Sequence, residues 1–456
     1  MPNTGPSRAF PAANPVERWS LTRRRLLQRA AAGGVACALG GVLQACGSGG
    51  VHAAAAGRFE PSAGGEIPSV DVRFSMWPFG DTTIGFIGIK QGFFGDVGIN
   101  LVPGAGETLL IDQTPGELLT GQLDMASGYM PIQIQTFPKQ PGIKMIQLHD
   151  TYVGNYLLAG PGTGAKTYEE LSRPGASFDA AATSAVRQIR GKRVALGTAG
   201  NNRDFFSTLL GIAGLTPKDF ELTVIDDAKI LELARAGGTD FALPSGAAQN
   251  VVLMNEGFYR VFGIGQLLAN LPPGDPRAVT ALGDAGIVGT DEYIKANTET
   301  VLRFMSVYYR IIDQVLDDPG TALAIVLPHL NAATGLRLTL RDCKVVFSRF
   351  YEFISFEQTA DHLLNRRYPL QLDNVYVPQI EAAKKGGIYK PTDNVTPEDI
   401  FVGTRFYRIL TDLKRRYELL KGSQAAKTRM ATEAEDHYRN RNYLDAYRLL
   451  RAARAG

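Results

Sequence analysis

Between Val72 and Val288 the chain keeps switching its apolar period, and that switching restricts the fold more than any other feature. Val72, Phe74 and Met76 alternate as one face of a strand that ends at Trp77-Pro78-Phe79-Gly80. Ile84 to Gln91 reads as a short apolar helix closed by Gly92, and Ile99 to Val102 as a second strand. Pro115 starts a helix that Gly121 closes; Leu123–Ser127, Lys144–Leu148 and Tyr156–Ala159 supply three more strands. A second block repeats the style. Arg193–Gly197 is a strand, followed by a helix to about Ala213, with Gly214 where a C-cap glycine belongs. Strands Leu222–Ile225 and Thr239–Leu243 flank a helix at Ala228–Ala236. Such alternation predicts an α/β fold, and two blocks predict two lobes with a cleft between them.

Past Val288 the character changes. Val301, Leu302, Met305, Tyr308, Ile311, Ile312 and Val315 keep helical spacing, as does a basic, Tyr/Leu-spaced stretch from Ala425 to Ala455. The expected boundaries are therefore 70–155 for the first part of lobe 1, 156–255 for lobe 2, 256–424 for the rest of lobe 1 with a helical region, and 425–456 for a helical tail.

The N-terminus carries a processing signal rather than fold. Arg23-Arg24-Arg25-Leu26-Leu27 precedes an Ala/Gly/Val/Leu run, which resembles a twin-arginine export signal over residues 1–45. The run is too short and Gly-rich for a span of about 20 apolar residues. Leu43-Gln44-Ala45-Cys46 resembles a lipobox, making Cys46 the expected lipidation site and mature N-terminus. The Gly/Ala/Ser/Pro-rich stretch 46–69 reads as a flexible tether. These features predict a lipid-anchored protein on the extracytoplasmic face, in a periplasm or on a cell surface. The chain holds 48 Lys+Arg against 45 Asp+Glu; without residues 1–45, which carry six arginines and one acid, 42 basic residues face 44 acidic ones. The basic balance belongs to the signal and gives no argument for nucleic acid. Only Cys343 remains in the folded part, so an internal disulfide is impossible.

Four segments carry a family resemblance. Ile84 to Leu101 includes Gly92-Phe93-Phe94 and Gly98-Ile99-Asn100-Leu101; Gly116 to Ala126 includes Leu118-Leu119-Thr120-Gly121 and Asp124; Ile189 to Gly197 includes Gly191-Lys192-Arg193-Val194-Ala195; Leu233 to Ala242 includes Ala236-Gly237 and Asp240. In this order they resemble the substrate-binding proteins of the nitrate/sulfonate/taurine class of ABC transporters and their thiamine-precursor-binding relatives. The resemblance covers roughly Val72 to Thr290. It implies a two-lobed, type II periplasmic-binding-protein fold that closes around a small molecule and hands it to an ABC permease, as a monomer without cofactor or metal. Three departures stand out: an insertion at Ser172–Arg187, Leu243-Pro244-Ser245-Gly246 in place of an aromatic or acidic pair, and the tail beyond Leu420.

Ligands of such sheets bind outside the carboxyl ends of strands, which selects the candidate residues. The loop after the first strand offers Trp77, Asp81 and Thr82, with Asp81 available to a cation; Phe79 reads better as core. Tyr129 follows the third strand, and Tyr152 and Asn155 lie at the first crossover. Thr198, Asn201 and Arg203 surround a helix N-terminus suited to an anion, and Ser245 sits on the neighbouring loop. The expected ligand is a small organic anion or a polar heterocycle.

Two other classes stay open. One is an enzyme on the same fold, since a relative of this family makes a thiamine pyrimidine. Against it stand five scattered histidines without metal-ligand spacing and no P-loop, G-x-S-x-G or H-E-x-x-H. His149-Asp150 is the one pair of note, and a satisfied loop histidine is the plainer reading. The other class is an extracytoplasmic sensor or adaptor, suggested by the tetratricopeptide-like pattern from His437 to Tyr447. A single repeat cannot bury its own face, so a helix docked on the lobe is preferred.

Overall fold

The computed structural model describes residues 58–173, 175–421 and 428–455, so the export signal and Cys46 lie outside the described residues. Among the described residues, eleven strands form two sheets. In chain order they are β1 (Val70–Met76), β2 (Ile99–Thr108), β3 (Met125–Tyr129), β4 (Ile143–Tyr152), β5 (Tyr156–Ala159), β6 (Arg193–Leu196), β7 (Glu221–Val224), β8 (Phe241–Leu243), β9 (Tyr259–Gly263), β10 (Gly283–Thr290) and β11 (Tyr351–Phe353).

Lobe 1 is built on the order β11-β4-β10-β3-β1-β2, and lobe 2 on β7-β6-β8-β5-β9. Within each sheet the first three strands of the block run parallel: β1 pairs with β2 and β3, and β6 with β7 and β8. Parallel strands joined by helices send all their carboxyl ends to one edge. The strands entering from the other block, β10 and β5, run antiparallel to their neighbours.

Burial explains the pattern. Val72, Phe74 and Met76 are all buried on β1, and Phe74 packs edge-on against Phe304 of the helix Thr298–Asp317 at 4.9 Å between ring centres. Tyr308, one turn on, stacks against Phe304 and His149. A helix presenting apolar residues at this spacing has to cover a sheet, and here it covers lobe 1.

Among the described residues, the chain passes from one sheet to the other at two places. Val153-Gly154-Asn155 connects β4 to β5, and the segment from Ile264 to Leu282 connects β9 to β10. Asn155 ties the crossings together: its side-chain amide donates to the Ala281 carbonyl at 3.0 Å, and its carbonyl accepts from Ile264 N–H at 3.1 Å. Gly154 lies here with no room for a side chain. An added Cβ would stand 2.3 Å from the Phe350 ring and 2.9 Å from that of Tyr152. Gly154→Ala is therefore expected to cost about 1–3 kcal/mol by overpacking, measured as a lower urea midpoint. An unchanged midpoint would mean both buried rings yield freely.

Three boundaries need correction. The tether expected to run to residue 69 ends sooner, because from residue 58 the chain is held on the C-terminal helices. Arg416 binds the Phe59 carbonyl and the Glu60 carboxylate, and Arg448 reaches the Ser62 and Glu66 carbonyls. Lobe 2 extends past residue 255, since β9 pairs with β5 in its sheet. The helical region is also not confined to lobe 1. Helix Leu340–Arg349 packs on helix Ala247–Asn255 of lobe 2, with Asn255 donating to Asp342 at 2.8 Å, before β11 returns to lobe 1.

The insertion forms helix Phe178–Arg187, which lies against helix Gly200–Ala213; Arg187 caps that helix by donating to the Ala213 carbonyl. The tail forms two helices, Arg429–Arg439 and Tyr443–Ala455, docked on Gly403–Lys421 and Thr298–Asp317. Among the described residues, no helix is long and apolar enough to cross a membrane.

Candidate ligand-binding site

The loops after β1 and β3 in lobe 1 and after β6 and β8 in lobe 2 face one cleft of about 960 Å³. The β1 loop is folded by its own hydroxyls. Thr82 donates to the Trp77 carbonyl at 2.7 Å, and Thr83 to that of Gly80 at 2.7 Å. This turn puts Trp77, Phe79, Asp81 and Thr82 on the cleft wall. The indole N–H is already engaged by the Thr114 hydroxyl at 2.9 Å, so Trp77 has only ring surface to offer a ligand. Phe79 is 48% exposed, which corrects its reading as core. Its position past the strand end leaves it outside the lobe's packing, edge-on to Trp77.

Across the cleft, the β6 and β8 loops crowd together. A Cβ on Gly197 would lie 2.2 Å from Ser245 Oγ, so only glycine lets these backbones meet. Asp227 holds the β8 loop by accepting from the backbone N–H groups of Ser245 and Gly246 at 3.0 and 2.7 Å.

Among the described residues, two hydrogen bonds cross between the walls of the cleft. Tyr152 donates to the Ser245 carbonyl at 2.9 Å, and the Asn201 amide approaches the Tyr129 hydroxyl at 3.4 Å. Of the residues selected from sequence, Trp77, Asp81, Thr82, Tyr129, Tyr152, Asn201 and Ser245 line this cleft together. Asn155, Thr198 and Arg203 do not. Asn155 is buried in the crossover, while the exposed Arg203 guanidinium folds back on the Thr198 carbonyl at 2.8 Å. The reason is local: an arginine on the first turns of a helix reaches its own preceding carbonyls more easily than a space beyond the helix end.

Several lining residues escaped the sequence reading. Tyr351 and Val346 come from the returning helical region, Leu330, Ala333 and Thr334 from the helix before it, and Gln379 from Leu372–Lys385. They lie past the second block, where nothing in the period marks a strand-end loop. Asp204 also lines the cleft, and its neighbour Arg203 had drawn attention instead.

The charges lining the cleft are all negative. Asp81, Asp204 and Asp227 face it, and among the described residues no lysine, arginine or histidine does. Burial pushes the Asp81 carboxyl up to about 6, against backbone N–H groups that pull it down. Behind the wall, burial also raises Asp284 to about 6 and lifts Asp150 well above the usual carboxylate range. Burial first, and then the charges of Asp81, Asp284 and Asp150, raise the Tyr129 phenol, which therefore stays neutral and able to donate.

His149 is neither in a loop nor satisfied, which corrects the plainer reading of that pair. It sits inside β4, fully buried, with both ring nitrogens unpartnered, and its Nε2 lies 3.5 Å from Asp150. Burial lowers the imidazole to about 3, which keeps it neutral, and raises the carboxyl beside it. Among the described residues, no group of three His, Cys, Asp or Glu side chains gathers as metal ligands would.

Comparison with known proteins agrees with this architecture. Residues 176–322 match the family described as NMT1/THI5 like. The fold is that of the periplasmic sulfonate-binding protein SsuA from Methylobacillus flagellatus, at TM-score 0.52 and 15% identity over 76% of this chain and 95% of that one. The aliphatic sulphonate-binding SsuA of Escherichia coli aligns at TM-score 0.47 and 11% identity, covering 73% and 91% of the two chains. The nitrate-binding NrtA of Synechocystis aligns at TM-score 0.39 and 15% identity, covering 60% and 69%. No curated protein matches the chain in sequence. The chain thus has the two-lobed periplasmic-binding-protein fold, and the resemblance carried by its four motifs is to the proteins that share it.

Proposed function

We propose that this chain is the extracytoplasmic solute-binding component of an ABC importer, a monomer that captures a small molecule by closing its lobes. The observation that carries the reading is the cleft. Its walls include strand-end loops from two separate sheets, joined through the crossings at Val153–Asn155 and Ile264–Leu282 and bridged by helix Leu340–Arg349. A ligand contacting both walls stabilises the closed state by its differential affinity for it. Tyr152 donates to the Ser245 carbonyl across the cleft, so the two walls already stand within contact range. Export and a lipid anchor at Cys46 complete the proposal and rest on the twin-arginine and lipobox motifs alone.

Between the two ligand classes expected from sequence, the cleft favours a polar heterocycle over an organic anion. The wall gives aromatic faces at Trp77, Phe79 and Tyr129 with hydroxyl and amide groups at Thr82, Asn201 and Gln379. It gives an anion only one helix end, with Asp204 one turn inside it. A thermal-shift screen with pyrimidines, carboxylates, sulfonates, nitrate and bicarbonate tests the reading. A saturable rise in Tm without turnover is the expected result, because ligand binding the folded state alone stabilises it. Consumption of a compound would instead identify an enzyme.

A further inference from the structure

We infer that the cleft selects a small organic cation, an amine, amidinium or quaternary ammonium carried on a flat apolar body. This rests on the solute-capture reading and narrows it.

The argument begins with charge. Asp81 and Asp227 are at least partly buried at the cleft, Asp204 faces it from the helix Gly200–Ala213, and none forms an ion pair among the described residues. Asp227 is engaged with two backbone N–H groups of the β8 loop, whereas the backbone N–H groups of its own turn only partly offset the burial of Asp81, and Asp204 stands exposed on its helix. Asp81 belongs to lobe 1 and Asp204 to lobe 2. Closure around an anion or a neutral solute would bring these like charges into a drier space, where their repulsion grows. Closure around a cation turns both into attractions.

The walls agree. Asp81 is only 8% exposed and sits among Trp77, Tyr129, Tyr152 and Tyr351, whose rings offer negative faces to a cation and apolar cover to the rest of the molecule. A buried carboxylate with no cationic side chain beside it is costly unless something else supplies the charge. Arg203, the arginine expected from sequence at the cleft, is held outside it by the Thr198 carbonyl.

The test uses a matched series of single-ring probes on the full chain: benzamidinium, its neutral counterpart benzamide, and benzenesulfonate, with benzyltrimethylammonium as a cation that donates no hydrogen bond. Titration calorimetry is expected to rank both cations above benzamide by roughly tenfold or more, with benzenesulfonate weakest. Asp81→Asn, which keeps the shape, should remove most of the cation preference, read as the ratio of benzamidinium to benzamide affinity falling to within about threefold of one. Asp204→Asn should reduce it by a smaller factor, since that side chain is exposed. If benzenesulfonate binds best, or Asp81→Asn leaves the ranking intact, the cation inference is overturned and solute capture stands. Failure of these probes together with the whole anion and heterocycle screen would overturn both.

Discussion

Asp445→Ala is expected to destabilise the protein by about 3–5 kcal/mol, because it strands two arginines inside the C-terminal packing. Asp445 is fully buried between the tail and helix Thr298–Asp317. It accepts from Arg303 Nε and a terminal nitrogen at 2.8 and 2.9 Å, from Arg448 at 2.9 Å and from Asn442 at 2.7 Å. Burial opposes its ionisation, yet these donors outweigh it and hold the carboxyl below its usual range. Arg303 and Arg448 are nearly as buried, so losing their shared carboxylate leaves charge that water cannot reach. The tail should then release first, giving early proteolytic cuts between residues 421 and 443. No described residue of the tail lines the cleft, so ligand affinity at a permissive temperature should not change. A melting temperature equal to wild type would show the cluster contributes specificity and little stability.

Asp81→Asn should act in the opposite direction, stabilising the unliganded protein by about 3 kcal/mol near pH 7.5 and by almost nothing near pH 4. The folded carboxyl titrates at about 6 against 3.8 for an ordinary one, so the folded state holds its proton more tightly. Stability from that proton is complete below about pH 4 and is lost as the pH rises through about 6. Asparagine imitates the protonated form and keeps the benefit at every pH. Asp284, raised to about 6 by burial despite Thr151 and Tyr376, follows the same course. His149 and His362 run the other way. Burial holds both near 3, so they are neutral when folded, and stability is lost as acid protonates the unfolded chain below about 6.5. The wild-type curve mixes these effects, and only the difference between variant and wild type isolates Asp81. Urea midpoints of both at pH 4.5 and 7.5 measure it; a constant gap would sink the assignment.

Much of the fold was legible because period reports burial directly. The strands at Val72–Met76, Tyr156–Ala159 and Arg193–Leu196 and the helix ending at Ala213 follow from local apolar spacing, and Gly214 takes the left-handed C-cap that its position predicts. The candidate site was legible to the extent that it lies on strand-end loops, as Trp77, Asp81, Tyr129 and Ser245 do. Arg203 shows where that logic stops, since its charge was visible and its direction was not.

The sequence by itself determined the alternation that makes two sheets, the four-motif likeness to solute-binding proteins, and which loops follow which strands. Only the tertiary structure decided that Phe79 stands in the cleft, that residues 340–349 lean on lobe 2 before returning as β11, and that the cleft carries carboxylates without a cation. The physical reason is range. Period and capping are set by residues a few positions apart, whereas the sign of a cavity's charge depends on which distant side chains turn toward it.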